Sequence, residues 1–549
     1  MEQNLPADLE RERFDLAVIG AGVNGAAIAR DAAMRGLKTL LVDKGDIASG
    51  TTSWSSRLIH GGLRYLEHCE VRLVRESLRE REALLRNAPH LVQPIPMIIP
   101  MYEGNRRRPA MVRAGMTLYD VLSFDKSLPH HRMWSKRKAL REAPGLNPEG
   151  LLGAALYYDA QATFAERLAV ENAISAQQHG ALVLTYLRVD GIMQTGNRVT
   201  GVTLTGTHSG ERLEVESRCV VNVAGPWVDQ VLMGLSDVPR IIGGTKGSHL
   251  VVDPFPGAPH AALHYEARAD GRPILIIPWN GQFLIGSTDI RYDGDLDHVK
   301  TDEREIDYLL SEVSNVIPGA RLTPEAMHYA YAGVRPLPYQ PCGSEAEISR
   351  DHAIIDHGKR HRGLLSISGG KLTTHRALAE HAVDAAFRQL GRKPPPCVTA
   401  RLPLPGAAGV SFPAFRSHFL ATSGLPEATG NRLLDVYGAR AEEVVALAEQ
   451  DADLLDPLGA GCDAIGAEVV FAFQRELAQT LEDVLLRRTM IGVNPDLGIG
   501  ADRAAAAVAE RHLGWTDARA QSEMRRYRAH VERFRSHRTR EQREAVAGQ

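Results

Sequence analysis

Three closely spaced glycines near the start of the chain constrain its fold most strongly. They form the motif Gly20-Ala-Gly22-Val-Asn-Gly25, which follows a short apolar run at 16–19 and precedes an Ala-rich segment typical of a helix. Glycines at this spacing permit a tight turn, let backbone approach a pyrophosphate, and let helix and strand pack closely. The segment therefore predicts a βαβ unit that binds a dinucleotide.

The residues around this motif fit the same interpretation. A second apolar run at 39–42 ends at Asp43, where a carboxylate can accept hydrogen bonds from the ribose hydroxyls. Asn24 lies at the start of the helix, whose free N–H groups and dipole favour phosphate. We therefore assign Gly20, Gly22, Asn24, Gly25 and Asp43 to the cofactor site.

Two later glycine turns favour a flavin over a nicotinamide dinucleotide. One follows the apolar run at 219–221, and the other follows the apolar run at 364–367. A nucleotide approached by backbone from such distant segments is long and deeply buried, which suits FAD better than an exchangeable nicotinamide. The predicted FAD contacts in these turns are Ala224, Gly225, Gly370, Lys371, Leu372 and Thr373.

The composition is that of a globular protein with more than one core. A chain of 549 residues suggests two or three domains, and 64 basic against 67 acidic residues give no reason to expect nucleic acid. The five cysteines show no metal-ligand spacing, so we expect no metal and a cytoplasmic setting with free thiols. No run approaches the ~18 apolar residues that span a bilayer, and no secretory signal is visible.

Helical, β-branched and proline-rich stretches predict an α/β architecture in three parts. The first is a discontinuous Rossmann-like domain that binds FAD, followed by a mixed-sheet substrate domain and an all-helical C-terminal domain. Consecutive prolines mark a linker before the helical part. The expected ranges are 14–90, about 150–245 and 350–395 for the FAD-binding domain, 91–149 and 246–349 for the substrate domain, 396–403 for the linker, and 404–549 for the helical domain.

Several ordered motifs resemble those of the FAD-dependent glycerol-3-phosphate dehydrogenases. They are Thr52-Ser-Trp-Ser-Ser-Arg-Leu-Ile-His-Gly-Gly-Leu-Arg-Tyr-Leu-Glu67, Lys246-Gly-Ser-His249, Gly286-Ser-Thr-Asp289, Gly333-Val-Arg-Pro336, Ser349-Arg-Asp351 and Gly369-Gly-Lys-Leu-Thr-Thr374. The resemblance covers about the first 395 residues and continues into the tail at 480–489. Asp43 stands where relatives often carry Glu, and Arg57 where some carry Lys; both departures preserve the charge.

The resemblance implies a glutathione-reductase-type FAD fold with a substrate cap, and it implies an activity. That activity is oxidation of sn-glycerol 3-phosphate to dihydroxyacetone phosphate by hydride transfer from C2 to FAD, with ubiquinone or menaquinone as the final acceptor. It also implies peripheral binding at the cytoplasmic face of the cell membrane, and it leaves a homodimer open. Further cofactor contacts implied by the motifs are Thr52, Ser53, Ser56, His60, Gly61, Gly62 and Asp289, although His60 would also fit as a packed core histidine.

Oxidising a secondary alcohol that carries a phosphate needs a proton acceptor beside an anion site. Arginine binds phosphate through two parallel hydrogen bonds, whereas lysine acts as a point charge. By resemblance, the residues around the substrate are Arg64, Tyr65, His249, Arg335, Arg350 and Lys371. His249 is our candidate for the proton acceptor, since imidazole titrates near neutral pH. The alternatives are a histidine that only hydrogen-bonds substrate or flavin, and arginines that form surface ion pairs.

The stretch at 105–120 mixes arginines with Met, Val, Leu and Tyr, which is the composition of an interfacial membrane segment. A basic solvated helix packed on the protein fits the same pattern. This stretch and the helical tail favour the quinone-linked enzyme over a glycerol-3-phosphate oxidase that uses O2. The predicted cation cluster disfavours an amine or amino-acid oxidase, and a non-catalytic flavin-binding redox module remains the alternative of a different class.

Overall fold

Three β-sheets and a helical C-terminal region make up the described part of the chain. The computed structural model describes residues 9–343, 348–449, 451–459 and 461–535. The last stretch of the expected helical domain, 536–549, lies outside these residues.

The strands are β1 (Arg13–Phe14), β2 (Leu16–Ile19), β3 (Thr39–Val42), β4 (Leu58–Ile59), β5 (Val92–Tyr102), β6 (Arg132–Ser135), β7 (Leu151–Ala162), β8 (Leu182–Leu184), β9 (Leu187–Thr195), β10 (Arg198–Gly206), β11 (Arg212–Ser217), β12 (Val220–Asn222), β13 (Thr245–Val252), β14 (Ala262–Glu266), β15 (Pro273–Trp279), β16 (Gln282–Gly286), β17 (Ile290–Arg291), β18 (Met327–Arg335), β19 (Ala353–Asp356) and β20 (Leu364–Ser368).

The helices are α1 (Val23–Met34), α2 (Val71–Asn87), α3 (Pro109–Leu122), α4 (Lys136–Glu142), α5 (Ala165–Gln178), α6 (Val228–Val231), α7 (Glu303–Val316), α8 (His375–Gln389), α9 (Phe412–Thr422), α10 (Glu427–Tyr437), α11 (Ala441–Leu447), α12 (Gly466–Arg475), α13 (Leu481–Asp483), α14 (Ala501–Leu513) and α15 (Asp517–Val531).

The predicted βαβ unit forms the centre of a six-stranded sheet in the order β19-β20-β12-β2-β3-β8. All pairs in it are parallel except β19 with β20. Every residue of β2 and β3 is buried, as expected for parallel strands covered on both faces. The Ala-rich helix α1 packs between α5 and α8, because its small side chains let these helices approach closely. The α/β fold predicted from the sequence is confirmed.

A ten-stranded mixed sheet carries the opposite side of the site. Its main path is β17-β13-β16-β15-β14-β5-β7-β4, with β18 paired to β13 and β6 paired to β7. A stretch of the FAD-binding domain was expected to begin near residue 150, where β7 starts. However, β7 pairs along its length with β5 and so belongs to the ten-stranded sheet. A long apolar strand has the same sequence pattern in either sheet, so its partner strand could not be deduced from the sequence. A separate four-stranded sheet, β1-β11-β10-β9, packs against the six-stranded sheet in a shared apolar core.

Buried ion pairs attach the helical C-terminal region to the rest of the molecule. Asp46, in the loop after β3, accepts hydrogen bonds from Arg487 at 2.6 Å and from Arg488 at 2.7 and 2.8 Å. Arg167 of α5 forms a two-bond ion pair with Glu476 at 2.6 and 2.7 Å. Removing one partner of a buried pair costs about 3–5 kcal/mol, so these contacts resist separation.

The expected linker is itself held in place by side chains of the FAD-binding part. Arg30 of α1 donates to the carbonyl oxygens of Leu402 and Pro403 at 3.0 and 3.1 Å.

None of the helices in the described ranges combines the length and apolar character that crossing a bilayer requires.

Candidate active site

A cavity of about 760 Å³ lies between the six-stranded and ten-stranded sheets. One end is formed by the loops that follow β2, β3, β12 and β20, and the other reaches Arg335 of β18 and Leu275 of β15. The cavity brings together these predicted site residues: Gly20, Gly22, Asn24, Asp43, Thr52, Ser56, His60, Tyr65, Ala224, Gly225, Arg335, Arg350, Gly370, Lys371, Leu372 and Thr373.

The remaining predicted residues, Gly25, Ser53, Gly61, Gly62, Arg64, His249 and Asp289, do not line this cavity. Two of them form hydrogen bonds with residues that also lie outside the cavity lining. The Ser53 hydroxyl donates to the carbonyl oxygen of Ala48 at 2.7 Å, and the Gly61 N–H donates to the Tyr119 hydroxyl at 2.8 Å. Direct cofactor contacts from these residues stay predictions.

The glycine turn at the start of α1 has no room for side chains. A Cβ on Gly25 would lie 1.7 Å from the carbonyl oxygen of Gly20, and a Cβ on Gly20 would lie 2.8 Å from that of Val223. The N–H of Val23 donates to Thr52 Oγ1 at 3.1 Å, which brings the following loop onto the helix start. Backbone therefore forms the cavity wall at the positive end of α1, as a pyrophosphate requires.

Asp43 keeps its side chain fixed beside this turn. Its two carboxylate oxygens accept backbone N–H groups from Ala21 at 2.6 Å and Gly45 at 2.8 Å. Burial raises the pKa of Asp43 above its ordinary value, against the effect of these donors. Each oxygen retains a second lone pair, so the carboxylate can still accept a ribose hydroxyl. The size of the cavity, its glycine wall and this acceptor fit FAD.

Two arginines share one carboxylate at the other end of the cavity. Asp289 accepts from Arg335 at 3.0 Å and from Arg350 at 2.7 Å, and Arg335 also donates to Ser287 Oγ at 2.8 Å. Burial alone would raise the pKa of Asp289, but the two guanidinium groups outweigh it and lower that pKa. Burial, with Arg350 and Arg64 nearby, lowers the pKa of Arg335 to about 10 despite Asp289.

Lys371 and Tyr65 extend this positive region. The Lys371 ammonium lies 3.9 Å from the centre of the Tyr65 ring and donates to Ser77 Oγ at 3.2 Å. The guanidinium carbon of Arg64 lies 5.7 Å from the centre of the same ring. Burial and the charge of Arg350 lower the pKa of Lys371 to about 7, although nearby carboxylates oppose them. The arrangement can bind an anion and can supply one uncharged amine near neutral pH.

His249 lies behind the cavity wall instead of on it. The residue is 2% exposed, and its Nε2 is 2.8 Å from Ser56 Oγ, which does line the cavity. Burial, together with Arg335 and Arg57, lowers the pKa of His249 to about 3. The imidazole is therefore neutral at physiological pH, and it contacts the cavity through the Ser56 hydroxyl.

Sequence reasoning missed several residues of the cavity wall, among them Thr51, Val189, Trp227 and Leu337. Thr51 and Trp227 adjoin predicted turns, so their neighbours in the chain could have indicated them. Val189 lies on β9 in a different sheet, and no local signal points to it.

Comparison with known proteins identifies the family of the chain. The family described as FAD dependent oxidoreductase matches residues 15–376, and the C-terminal domain of alpha-glycerophosphate oxidase matches residues 397–520. The chain is thus an FAD-dependent oxidoreductase with that C-terminal domain.

Individual relatives narrow the family further. A glycerol-3-phosphate dehydrogenase of Synechocystis sp. is 45% identical over 96% of this chain and 98% of its own length. A D-erythritol 1-phosphate dehydrogenase of Brucella abortus is 38% identical over 87% of this chain and 95% of its own length. The glycerol-3-phosphate dehydrogenase structure from Bacillus halodurans, complexed with FAD, is 27% identical with a TM-score of 0.79 and 96% coverage of both chains. This chain belongs to the FAD-dependent glycerol-3-phosphate dehydrogenase family, which confirms the resemblance and the cofactor.

The glycine turn yields a direct prediction about cofactor content. Gly25→Ala should give protein with little bound FAD, because its Cβ would overlap the carbonyl oxygen of Gly20. Flavin absorbance per chain measures this. Gly115→Ala is the matched control, since a Cβ there would meet only Leu63 Cδ1 at an ordinary 3.8 Å. Full FAD occupancy in Gly25→Ala would contradict the assigned turn.

Proposed function

We propose that this chain oxidises sn-glycerol 3-phosphate to dihydroxyacetone phosphate and passes the electrons to a membrane quinone. The observation that carries the proposal is the pair of cavity-lining arginines, Arg335 and Arg350, which share the single carboxylate of Asp289 behind them. FAD, when bound, would supply the acceptor for the hydride that leaves the carbinol carbon.

The arginine pair is suited to a phosphate dianion because its positive charge is incompletely balanced. Arg350 is only 9% exposed, and its Nε is buried without a hydrogen-bond partner among the described residues. Arg64 adds further positive charge near the same end of the cavity. A phosphate group would accept the unused donors, which lowers the cost of burying them.

The hydroxyl proton needs an acceptor, and the geometry favours Lys371 over His249 for this role. Lys371 lines the cavity. Because its pKa is lowered to about 7, the Lys371 amine is uncharged in roughly half of the molecules at neutral pH. His249 has a pKa of about 3 and reaches the cavity only through Ser56. We propose that His249 instead orients the Ser56 hydroxyl.

An exposed apolar surface supports membrane binding. We call it the α3 surface; it consists of Met111, Leu118, Val121 and Phe124, with Val121 62% and Phe124 77% exposed. Exposed arginines at 106, 108 and 113 border it, so the surface matches an anionic phospholipid bilayer in both charge and polarity.

An apolar crevice of about 280 Å³ opens beside the α3 surface and reaches towards the substrate site. Its walls include Met111 and Leu118 of α3, Ile99 of β5, and Arg64. A quinone that left the bilayer here would approach the positive end of the main cavity. This route supports a quinone over O2 as the electron acceptor.

Replacing Arg335 tests the substrate site. Arg335→Ala should lower kcat/KM for sn-glycerol 3-phosphate on the order of 100-fold, because charge-assisted hydrogen bonds to the phosphate are lost. FAD content should stay unchanged. Arg360→Ala is the matched control, since Arg360 is exposed and its guanidinium forms an ion pair with exposed Asp237. Unaltered kinetics in Arg335→Ala would remove this residue from the proposed site.

The α3 surface and the acceptor can be tested in one assay. We compare turnover with anionic phospholipid vesicles that contain ubiquinone and turnover with a water-soluble quinone analogue. The double substitution Val121→Ser, Phe124→Ser should lower only the vesicle rate, by about tenfold, because the buried apolar area is lost. Leu455→Ser, 39% exposed on the helical region, is the control. If the double variant and the wild type had equal rates with the vesicles, membrane docking at the α3 surface would be refuted. If air reoxidised the flavin as fast as quinone did, the protein would be an oxidase.

A further inference from the structure

Three side chains that could bind a metal ion meet outside the proposed reaction site. They are Glu76 of α2 and the consecutive residues Asp351 and His352, and their potential ligand atoms all lie within 4.8 Å of one another. None of the three lines the main cavity. Sequence analysis did not indicate this cluster, because Glu76 lies far along the chain from Asp351 and His352.

His352 is the unusual member of the cluster. Its side chain is 8% exposed, and its Nδ1 has no hydrogen-bond partner among the described residues. The nearest carboxylate oxygen, on Asp351, is 3.5 Å away, which is beyond an ordinary N–H···O bond. Glu76 Oε1 is likewise buried without a partner in the described structure. Two buried polar atoms therefore face this cluster with unused bonding capacity, which is costly unless something occupies it.

The other nitrogen of His352 is already engaged. Its Nε2 lies 3.0 Å from Nδ1 of His381 on α8, and the two rings stack at 5.2 Å. If Nε2 carries the ring proton and donates a hydrogen bond to His381, then Nδ1 has no proton, and its lone pair is directed at the carboxylates. A second-sphere partner that fixes the tautomer in this way is characteristic of metal-binding histidines.

We propose that Glu76, Asp351 and His352 bind one Zn²⁺ ion, with water completing its coordination. Zinc takes nitrogen and oxygen ligands at about 2.0–2.2 Å, which places tetrahedral ligand atoms roughly 3.4 Å apart. Small side-chain rotations would bring the observed atoms to that spacing. An imidazole ligand selects zinc over Mg²⁺, which prefers an all-oxygen octahedral shell.

The position of the site links it to the residues that face the substrate. Asp351 directly follows Arg350, and Glu76 precedes Ser77, which accepts a hydrogen bond from Lys371. A bound cation would therefore add positive charge next to both cations. Binding itself does not depend on the proposed reaction and can be measured without turnover.

A second cluster in the chain provides a matched comparison. Asp451, Asp453 and His512 also have ligand atoms within 4.8 Å of one another, and each of the two clusters has one exposed aspartate, Asp351 in the first and Asp451 in the second. In the second cluster the carboxylate of Asp453 is already engaged, because it accepts a hydrogen bond from Arg511 at 2.5 Å and lies 3.4 Å from His512 Nε2. We expect this cluster to contribute little to zinc affinity.

The test is a titration of the full-length holoenzyme with zinc chloride in competition with a chromophoric chelator. We expect one tight zinc ion per chain, with affinity at least about tenfold lower in His352→Ala and in Glu76→Gln. Asp453→Asn should keep the wild-type affinity, and flavin absorbance verifies that each variant is folded. Absence of a tight zinc ion in the wild type, or undiminished affinity in both ligand variants, would overturn the proposal. Equal affinity for Mg²⁺ would overturn the assignment to zinc.

Discussion

The contact between Gly25 and the carbonyl oxygen of Gly20 determines where the cofactor site lies. Because a Cβ on Gly25 would sit 1.7 Å from that oxygen, α1 can begin directly at the end of β2 only with glycine there. The N–H groups of the helix start are then exposed to the cavity. Thr52, Val223 and Gly370 reach the same turn from distant parts of the chain. The rest of the cavity is arranged around this close approach.

The charges at the opposite end depend on strand register. Pairing of β13 with β18 places Thr245 opposite Arg335, and this end of the sheet holds the guanidinium near Asp289. A Cβ on Gly247 of β13 would lie 2.2 Å from Arg335 Nη2, so a glycine leaves the space that this side chain occupies. The positive end of the cavity is therefore built into a buried sheet, which limits how far the charges can move.

Local signals in the sequence predicted a large part of this arrangement. Glycine spacing indicated the turn, and the helical and proline-rich stretches indicated a linker followed by a helical C-terminal region. Pairing between distant segments could not be read in the same way. The membership of β7 in the large sheet, the role of Asp289 as a bridge between two arginines, and the position of His249 behind Ser56 all depend on tertiary contacts. These contacts leave no periodic trace in one sequence.

The most direct test of the account is anaerobic mixing of the FAD-loaded protein with sn-glycerol 3-phosphate. Because FAD itself accepts the hydride, loss of the flavin band at about 450 nm reports this step in the absence of an external electron acceptor. We predict rapid loss of this band with sn-glycerol 3-phosphate, little change with its enantiomer, and slower loss with D-erythritol 1-phosphate. No bleaching by sn-glycerol 3-phosphate, or faster bleaching by D-erythritol 1-phosphate, would contradict the proposed substrate.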